Sequence, residues 1–248
     1  MNSLIPKVDP KKSQLGRRLE SLVRKALYDF HLAKDCKRMA VALSGGKDSL
    51  TLLYLLHAIS GYGFPPFELV AIHVSGEFSC GAGIQPEYLS GICESLGVPL
   101  VFRESTQTLD TLECYSCSRE RRKLLFDAAK EHGCDRIAFG HHRDDNAQTL
   151  LLNLLHKAEF AGNLPMVHMQ NYEMTITRPL IYCSESDIRT FSKANGFARI
   201  LCRCPVGQNS KRKQVDQLMD EMEEFFPNVR TNLAQASLQY GSEKANRP

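Results

Sequence analysis

The sequence predicts an α/β fold in which a parallel, twisted β-sheet is flanked by helices, with helical additions at both ends of the chain. Between residues 35 and 184, short apolar segments alternate with helical segments of ten or more residues, which is typical of βαβ units. In segment 39–50 an apolar strand runs into a glycine-rich turn and then directly into a helical pattern. The length of 248 residues suits one such domain with a smaller addition.

The apolar pattern places each element of this fold along the chain. We predict strands at residues 38–43, 67–74, 99–103, 136–139 and 174–177. We predict helices at residues 13–30, 48–60, 86–96, 118–132, 144–157, 214–226 and 229–239. The expected parts of the chain are an N-terminal helix (1–34), the α/β domain (35–184), a helical C-terminal part (185–240) and a disordered tail (241–248).

The composition is ordinary for a globular protein, with 43% hydrophobic and 24% charged residues. Residues 1–10 contain no hydrophobic run behind a basic flank, and the longest apolar stretch, residues 50–59, is too short to cross a membrane. We therefore expect a cytoplasmic protein without a membrane partner. In that compartment the nine cysteines are expected to include metal ligands or redox groups rather than structural disulfides.

The most informative segment is Ser44-Gly45-Gly46-Lys47-Asp48-Ser49, between the first strand and its helix. The glycines permit positive φ and let backbone N–H groups surround an anion, and the N-terminus of the helix favours a phosphate. The spacing differs from a Walker A loop, which has four residues between its first glycine and its Gly-Lys pair. The segment resembles the pyrophosphate-binding loop of the PP-loop enzymes, which split ATP into AMP and pyrophosphate. A surface turn rich in Gly and Ser is the alternative.

A second nucleotide-binding segment, residues 140–149, leaves the strand at 136–139 and opens a helix. Gly140 allows close backbone approach to a nucleotide. Asp144 or Asp145 is suited to cap the helix or to hold a Mg²⁺ ion that bridges ATP phosphates; the alternative is a capping aspartate beside two solvated histidines. Ligands of parallel sheets bind beyond the carboxyl ends of the strands, and we expect three residues that follow apolar strands to share that crevice: Ser44, His73 and His141.

Two cysteine motifs, Cys114-Tyr-Ser-Cys117 and Cys202-Arg-Cys204-Pro205, predict a metal or cluster site. Two thiols in C-x-x-C spacing hold one metal or iron–sulfur cluster. A thioredoxin-like redox motif is the competitor, but the basic flank after Cys117 and the later cysteine pair favour ligation. The isolated cysteines are expected to be small buried hydrophobes: Cys36, Cys80, Cys93, Cys134 and Cys183.

Basic residues are clustered although the net charge is only +3. Residues 188–215 contain seven Lys or Arg and no Asp or Glu, and two further basic clusters lie at residues 11–25 and 119–123. Such clusters attract nucleic-acid phosphates, whereas solvated helix faces are the alternative for any single one. Because two clusters adjoin cysteine motifs, the distribution indicates an RNA partner.

In their order along the chain, these motifs resemble those of the tRNA 2-thiocytidine synthetases of the TtcA type, within the PP-loop ATP pyrophosphatase family. The matching segments are residues 44–49, 114–123, 140–149, Arg178-Pro-Leu180 and 202–215. The resemblance implies an adenine nucleotide alpha hydrolase-like fold, the cofactors ATP, Mg²⁺ and a [4Fe–4S] cluster, and a cluster held by Cys114, Cys117 and Cys202. Cys204 stays open as the third ligand, because Pro205 stands where the family usually has the second cysteine of that pair. Residues 146–149, Asn-Ala-Gln-Thr, also depart from the more typical Glu-Thr ending.

The resemblance also implies roles for single residues. Catalytic roles are expected for Asp48, Asp145 and Arg121. Nucleotide binding is expected of Ser44, Gly45, Gly46, Lys47, Asp48, Ser49, His73, Gly140, His141 and Asp144. The implied reaction is ATP-dependent 2-thiolation of an anticodon-loop cytidine in tRNA: the C2 oxygen is adenylated, and sulfur is transferred at the cluster. The implied partners are tRNA and a sulfur donor (a cysteine desulfurase or sulfide). The helical stretch that contains Phe225 and Phe226 is expected either to close the core or to contact a second copy of the chain.

Two rival functions remain at this point. A tRNA-Ile lysidine synthetase shares the phosphate loop and a His-His-x-x-Asp segment, but its chemistry needs no cysteines. A non-catalytic RNA-binding module stapled by zinc would use the thiolates and keep the loop only for structure.

Overall fold

The computed structural model describes residues 5–76, 85–106, 114–198 and 211–240, with the backbone alone for residues 114–117. The strands are β1 (Arg38–Ala42), β2 (Glu68–Ser75), β3 (Leu100–Glu104), β4 (Arg136–Ala138), β5 (Met166–Met169) and β6 (Met174–Thr177). The helices are α1 (Gln14–Asp29), α2 (Lys47–Ile59), α3 (Pro86–Leu96), α4 (Cys114–Glu131), α5 (Arg143–Lys157), α6 (Glu185–Ala194), α7 (Lys211–Phe225) and α8 (Val229–Tyr240).

The described strands form one six-stranded sheet in the order β3-β2-β1-β4-β6-β5. All neighbouring pairs are parallel except β5 and β6. The chain winds from β1 outward to β2 and β3, then crosses back to place β4 on the other side of β1. This reversal creates a crevice between the carboxyl ends of β1 and β4, which is where open α/β sheets bind ligands.

Helices cover both faces of the sheet. On one face, α1, α2, α3 and α6 pack with Met39 and Val41 of β1 in the larger core. On the other face, Ala40 of β1 packs with α4, including Phe126. Because successive side chains of a strand point to opposite faces and both faces are covered, β1 is apolar from Met39 to Ala42. The predicted parallel sheet with flanking helices is therefore confirmed.

The C-terminal helices form a hairpin that packs on α5. Ala147 and Leu151 of α5 share a small core with Val215 and Met219 of α7 and with α8. Arg230 of α8 ties the hairpin together through ion pairs to three carboxylates of α7: Asp216, Asp220 and Glu223. The predicted helical additions at both ends are present as α1 and as α7 with α8. The domain boundaries stay predictions, and the tail 241–248 lies outside the described residues.

The sequence placed the five parallel strands within a residue or two of their observed bounds but missed β5. Met166–Met169 has a half-exposed pattern and pairs antiparallel with β6 at the edge of the sheet. Four residues without a regular apolar pattern carry little signal, because pairing with β6 is what defines them as a strand. Helix α4 also begins four residues earlier than predicted, at Cys114. No helix in the described ranges is long and apolar enough to span a bilayer.

Candidate active site

Two loops meet at the crevice between β1 and β4. One connects β1 to α2 and the other connects β4 to α5. A Cβ atom on Gly140 would lie 3.1 Å from both the Asp48 carbonyl carbon and the Ser49 nitrogen. Because that contact is tighter than nearly all real Cβ contacts, glycine at 140 is what lets the two backbones approach. The two segments that the sequence predicts to bind a nucleotide are therefore adjacent.

The loop after β1 is held by hydrogen bonds to its own serine hydroxyl groups. Gly45 has a φ of 78°, and the Gly46 N–H donates to Ser44 Oγ at 3.3 Å. Ser49 Oγ lies 3.1 Å from Ser44 Oγ and donates to the Gly46 carbonyl at 3.0 Å. Within the described part of the chain, no side chain caps α2. Its first-turn N–H groups therefore remain available to an anion.

Lys47, at the start of α2, forms ion pairs with two carboxylates. Its Nζ lies 3.0 Å from Asp48 Oδ2 and 3.1 Å from Glu185 Oε1. Burial lowers the pKa of Lys47, but the two carboxylates outweigh burial and raise it above its ordinary value. Lys47 thus links the phosphate loop to α6 as a permanent cation.

A cavity of about 490 Å³ opens between the two loops and α4. Seven residues that the sequence predicts for the site line this cavity: Ser44, Asp48, Ser49, Arg121, Gly140, His141 and Asp145. The other described residues predicted for the site are not among its lining: Gly45, Gly46, Lys47, His73 and Asp144. The structure therefore gathers both loops and two arginines of α4, Arg121 and Arg122, around one space.

The carboxylates of Asp48 and Asp145 converge on the same histidine. His142 Nε2 lies 3.8 Å from Asp48 Oδ1 and 3.4 Å from Asp145 Oδ2. His142 is itself the N-cap of α5, and the Asp145 carboxylate accepts from the His142 backbone N–H in a reciprocal capping box. Asp48 Oδ1 is buried and makes no hydrogen bond within the described chain. A buried carboxylate oxygen without a donor suits a cation.

The Asp144 carboxylate accepts hydrogen bonds from groups that do not line the cavity. It is buried, accepts the Glu185 backbone N–H at 2.8 Å and receives Arg143 at 3.2 Å. It therefore secures the start of α6 to the start of α5. Its predicted contact with the nucleotide or its metal stays a prediction.

His73 lies within β2 and points away from the cavity. Its neighbours Ile72 and Val74 line the cavity, whereas His73 Nδ1 lies 2.7 Å from the Leu43 carbonyl oxygen. Burial lowers the pKa of His73, so the ring is neutral at pH 7 and donates to that carbonyl. His73 supports the end of β1 from behind, and its predicted contact with nucleotide stays a prediction.

Comparison with known proteins identifies the family. A family model described as a PP-loop domain, ATP_bind_3, matches residues 12–200. The chain is 34% identical to a tRNA-cytidine(32) 2-sulfurtransferase of Syntrophotalea carbinolica over 236 residues, which cover 90% of this chain and 88% of the relative. It is 36% identical to a tRNA-cytidine(32) 2-sulfurtransferase of Vibrio cholerae over 225 residues, which cover 87% of this chain and 71% of the relative. The chain belongs to the family of tRNA-cytidine(32) 2-sulfurtransferases.

The fold matches a solved structure of a related activity. The U34-tRNA thiolase NcsA from Methanococcus maripaludis, solved with its [4Fe–4S] cluster, superposes with a TM-score of 0.72 and 26% identity. The match covers 90% of this chain and 78% of NcsA. The resemblance to PP-loop thiolating enzymes that the motifs indicated is thus confirmed. The lysidine-type enzyme and the zinc-stapled module are not favoured.

Three arginines in the cavity were not predicted for the site. Arg122 follows Arg121 on α4, Arg178 follows β6, and Arg212 comes from the first turn of α7. Arg178 belongs to the Arg178-Pro-Leu180 motif, and Arg212 lies in the basic segment 188–215. Both signals were present in the sequence, but only the folded chain shows that these residues reach the nucleotide loops.

Two amide side chains of α5, Asn146 and Gln148, bond the C-terminal hairpin. Asn146 is fully buried, and its Nδ2 donates to the Ala234 carbonyl of α8 at 3.3 Å. Its Oδ1 accepts from Asn163 N at 2.7 Å and from Ser237 Oγ at 3.0 Å. The Asn163 side chain in turn donates to the Asp145 carbonyl at 3.2 Å. The Asn146 amide therefore joins α8 to the loop that carries Asn163. Gln148, which stands where a Glu-Thr ending is more typical, donates from Nε2 to the Arg212 carbonyl of α7 at 3.1 Å, a bond for which a glutamate has no N–H.

The predicted cluster ligands lie beyond what the structure describes in detail. Positions 114 and 117 occupy the first turn of α4, one turn before Arg121, while their side chains, Cys202 and Cys204 lie outside the described residues. The described side chains contain no group of three or more His, Cys, Asp or Glu that could hold a metal. Four isolated cysteines are free, buried and have raised pKa values, as expected of small hydrophobes: Cys36, Cys93, Cys134 and Cys183. Cys80 also lies outside the described residues.

Proposed function

We propose that the chain is an ATP-dependent tRNA thiolase, which replaces the C2 oxygen of a cytidine in the anticodon loop of tRNA with sulfur. Its relatives are named tRNA-cytidine(32) 2-sulfurtransferases, and NcsA is a tRNA thiolase. The observation that carries the proposal is the single cavity shared by the phosphate loop, the second loop and the arginines. Such a cavity suits one nucleotide and one base held side by side.

The phosphate loop is suited to the pyrophosphate of ATP. The free N–H groups at the start of α2 and the positive end of its dipole favour an anion. The hydroxyls of Ser44 and Ser49 already bond each other, so both side chains are oriented before ATP arrives. When the C2 oxygen of the base attacks the α-phosphate, pyrophosphate leaves and AMP is joined to the base. Fixed N–H groups stabilise the negative charge that develops in this step.

Asp48 and Asp145 are suited to hold the Mg²⁺ ion. The unbonded Oδ1 of Asp48 and the nearby Asp145 carboxylate supply hard oxygen ligands. Two protein carboxylates are enough for Mg²⁺ bound to a nucleotide, because phosphates and water complete its coordination. Magnesium there would offset the charge of the phosphates.

Cys114, Cys117 and Cys202 are proposed to hold the [4Fe–4S] cluster, which would supply the sulfur-transfer chemistry. The cluster positions at the start of α4 lead directly into Ser118, Arg121 and Arg122 of the cavity. The sulfur source, a cysteine desulfurase or sulfide, would deliver to this end of the cavity. Arg121 is proposed to lie between the bound nucleotide and the cluster.

The tRNA is proposed to bind at the cavity through the basic residues of α4 and α7. Arg212 extends the site onto α7, and the neighbouring Lys211 and Lys213 are exposed. A base that reacts here must leave its stack, which suits the single-stranded anticodon loop. A tRNA substrate also implies work in the cytoplasm.

The proposed homodimer contact involves the turn between α7 and α8. Phe225 is 77% exposed and Phe226 is 64% exposed at this turn. Aromatic side chains exposed to that extent are typical of contact surfaces. A concentration-dependent mass by light scattering that is lost in Phe225→Ser would support the dimer, and a monomer at all concentrations would contradict it.

The decisive test is nucleoside analysis after reaction. Protein purified and reconstituted without oxygen is incubated with ATP, Mg²⁺, sulfide and an unmodified tRNA, and the digested RNA is analysed by mass spectrometry. We expect 2-thiocytidine together with AMP and pyrophosphate, each absent without ATP. Cys114→Ser should abolish thiolation with little effect on folding, while the matched control Cys36→Ser should retain it. Lysidine formed when lysine replaces sulfide in the mixture, or no AMP under any condition, would contradict the proposal.

A further inference from the structure

Arg178 and His141 hold each other in a defined orientation inside the cavity. Arg178 Nε lies 3.4 Å from His141 Nδ1. The guanidinium is anchored by its Nη1, which donates to the Leu164 carbonyl, and the Arg178 backbone N–H donates to Pro165 at 2.8 Å. On its other side the His141 ring lies nearly parallel to Phe139, at 14° with ring centroids 5.7 Å apart. Both side chains are therefore fixed before a substrate binds.

This contact determines where His141 carries its proton. A guanidinium has five N–H donors and no acceptor, so Nδ1 of His141 accepts and has no hydrogen. The single proton of a neutral ring then sits on Nε2. A doubly protonated ring would instead set an N–H against the cationic guanidinium.

Charge and burial act in the same direction as the geometry. Burial, and then the positive charge of Arg178, lower the pKa of His141 to about 4; Arg212 and His142 also lower it, and together these effects outweigh the Asp145 carboxylate, which raises it. Burial and the neighbouring Arg122 lower the pKa of Arg178 to about 10. At pH 7 the arginine is therefore charged and the histidine neutral.

We infer that Arg178 is a positioning residue for the thiolation reaction, which holds His141 as a neutral Nε2–H donor for a phosphoryl oxygen of the bound nucleotide. His141 directly follows Gly140, which packs against Asp48 and Ser49 at the end of the phosphate loop. His141 thus lines the cavity beside the loop that is proposed to hold the phosphates. The substrate in this inference rests on the proposed function, but the protonation state of the ring does not.

A neutral donor has a chemical advantage in this position. It strengthens its hydrogen bond as negative charge grows on the phosphoryl oxygen, and it needs no proton transfer. The arginines that line the cavity already supply positive charge. His141 adds a hydrogen-bond donor of fixed orientation. Because Arg178 and Phe139 already hold the ring, it loses little conformational freedom when the nucleotide binds.

Nitrogen-15 NMR of the side chains tests the protonation state without any activity. Two-bond ¹H–¹⁵N spectra distinguish the Nδ1–H tautomer, the Nε2–H tautomer and the imidazolium. The chain has eight histidines, and the His141 signals are those missing in His141→Gln. At pH 7 we expect the Nε2–H tautomer in the native protein and a tautomer mixture in Arg178→Met.

Arg122→Met is the matched control, because it removes a cavity cation while leaving the contact with Nδ1 in place. We expect it to keep the Nε2–H tautomer. An Nδ1–H or imidazolium His141 in the native protein, or an unchanged tautomer in Arg178→Met, would overturn the inference.

Kinetics of tRNA-dependent AMP formation test the role of the donor. Glutamine at 141 keeps an amide N–H near the position of Nε2, whereas asparagine places it near Nδ1. We expect His141→Gln to retain a kcat at least about tenfold above His141→Asn, and Arg178→Met to lower kcat more than it raises the KM for ATP. Equal activity of the two amides would contradict the role of Nε2–H. Absence of AMP formation by the native protein would contradict the proposed function, while the NMR result would still decide the tautomer.

Discussion

Identical side chains in this site have different tasks, because their hydrogen-bond partners differ. Asp144 has both carboxylate oxygens bonded, one to the Glu185 backbone and the other to Arg143. Asp48 has a buried oxygen without a donor in the described chain. The first arrangement stabilises the fold, and the second leaves a ligand position. Substitutions at the two positions should therefore fail in different ways.

Asp48→Asn should abolish catalysis while leaving the fold intact. The amide keeps the shape but loses the charge that Mg²⁺ requires, and we expect thiolation to fall about 100-fold or more. Thermal unfolding should change by less than for Asp144→Asn, which weakens the anchor of α6. The control is Glu173→Gln, on a carboxylate that is 86% exposed. Near-native thiolation by Asp48→Asn would remove Asp48 from the metal site.

Glu185 should make stability depend on acid pH. Burial raises the pKa of this carboxyl, but hydrogen bonds from Arg189 and Lys47 outweigh burial and lower it to about 2, from an ordinary value of 4.5. Because the folded-state pKa is depressed, the stabilisation is fully present above pH 4.5 and is lost as the pH falls through about 2.

We expect Glu185→Gln to reduce the free energy of unfolding at pH 7 by about 1–2 kcal/mol. That difference should shrink as the pH falls below about 4. Chemical denaturation at pH 7, 4 and 3 measures it, with Glu173→Gln as the exposed control, for which we expect less than about 0.5 kcal/mol. A difference that stays constant over this range would show that packing, and not charge, accounts for the effect.

At the scale of elements, the helical hairpin α7–α8 is part of the site. It packs on α5 through an apolar core and through the buried amide of Asn146. The same amide holds Asn163, which lines the cavity and bonds the Asp145 carbonyl. The position of the loop between β4 and α5 and the position of α8 are therefore coupled.

Asn146→Asp should uncouple the hairpin from the site. The change puts a carboxylate oxygen against the Ala234 carbonyl in a fully buried position, and we expect a loss of about 2–4 kcal/mol in the free energy of unfolding. Hydrogen exchange should increase in α8 before it increases in β1. Asn232→Asp, on the exposed face of the same helix, is the control, since it adds the same charge in water. Equal stability of the two variants would contradict the coupling.

At the scale of the whole molecule, the net charge of +3 conceals where the charge is placed. Arginines from α4, from the segment after β6 and from α7 meet at one cavity. These elements are far apart in the sequence, and only the packing of the hairpin brings Arg212 to the nucleotide loops. The arrangement concentrates positive potential at the place where RNA is proposed to enter.

Arg212→Ala should weaken tRNA binding more than Lys213→Ala does. Both remove one charge from the same turn of α7, but only Arg212 lines the cavity. We expect an apparent affinity for tRNA about tenfold lower and a log–log salt slope reduced by about 1, with little effect on ATP binding. Filter binding at several salt concentrations measures both. Equal losses in the two variants would show that α7 attracts RNA only through its overall charge.

The sequence by itself determined the fold class and the family, because both depend on local patterns. Strand–helix alternation, the segment 44–49 and the C-x-x-C spacing each lie within a few residues, where conformational preference and ligand spacing act directly. Tertiary structure alone decided which residues share the cavity. Arg178 and Arg212 reach it through strand order and hairpin packing, and Asp144 differs from Asp48 in the bond that it accepts from Glu185, which lies far away in the chain. Tertiary structure also decided the edge strand β5, because a strand with a weak apolar pattern is defined by the neighbour with which it pairs.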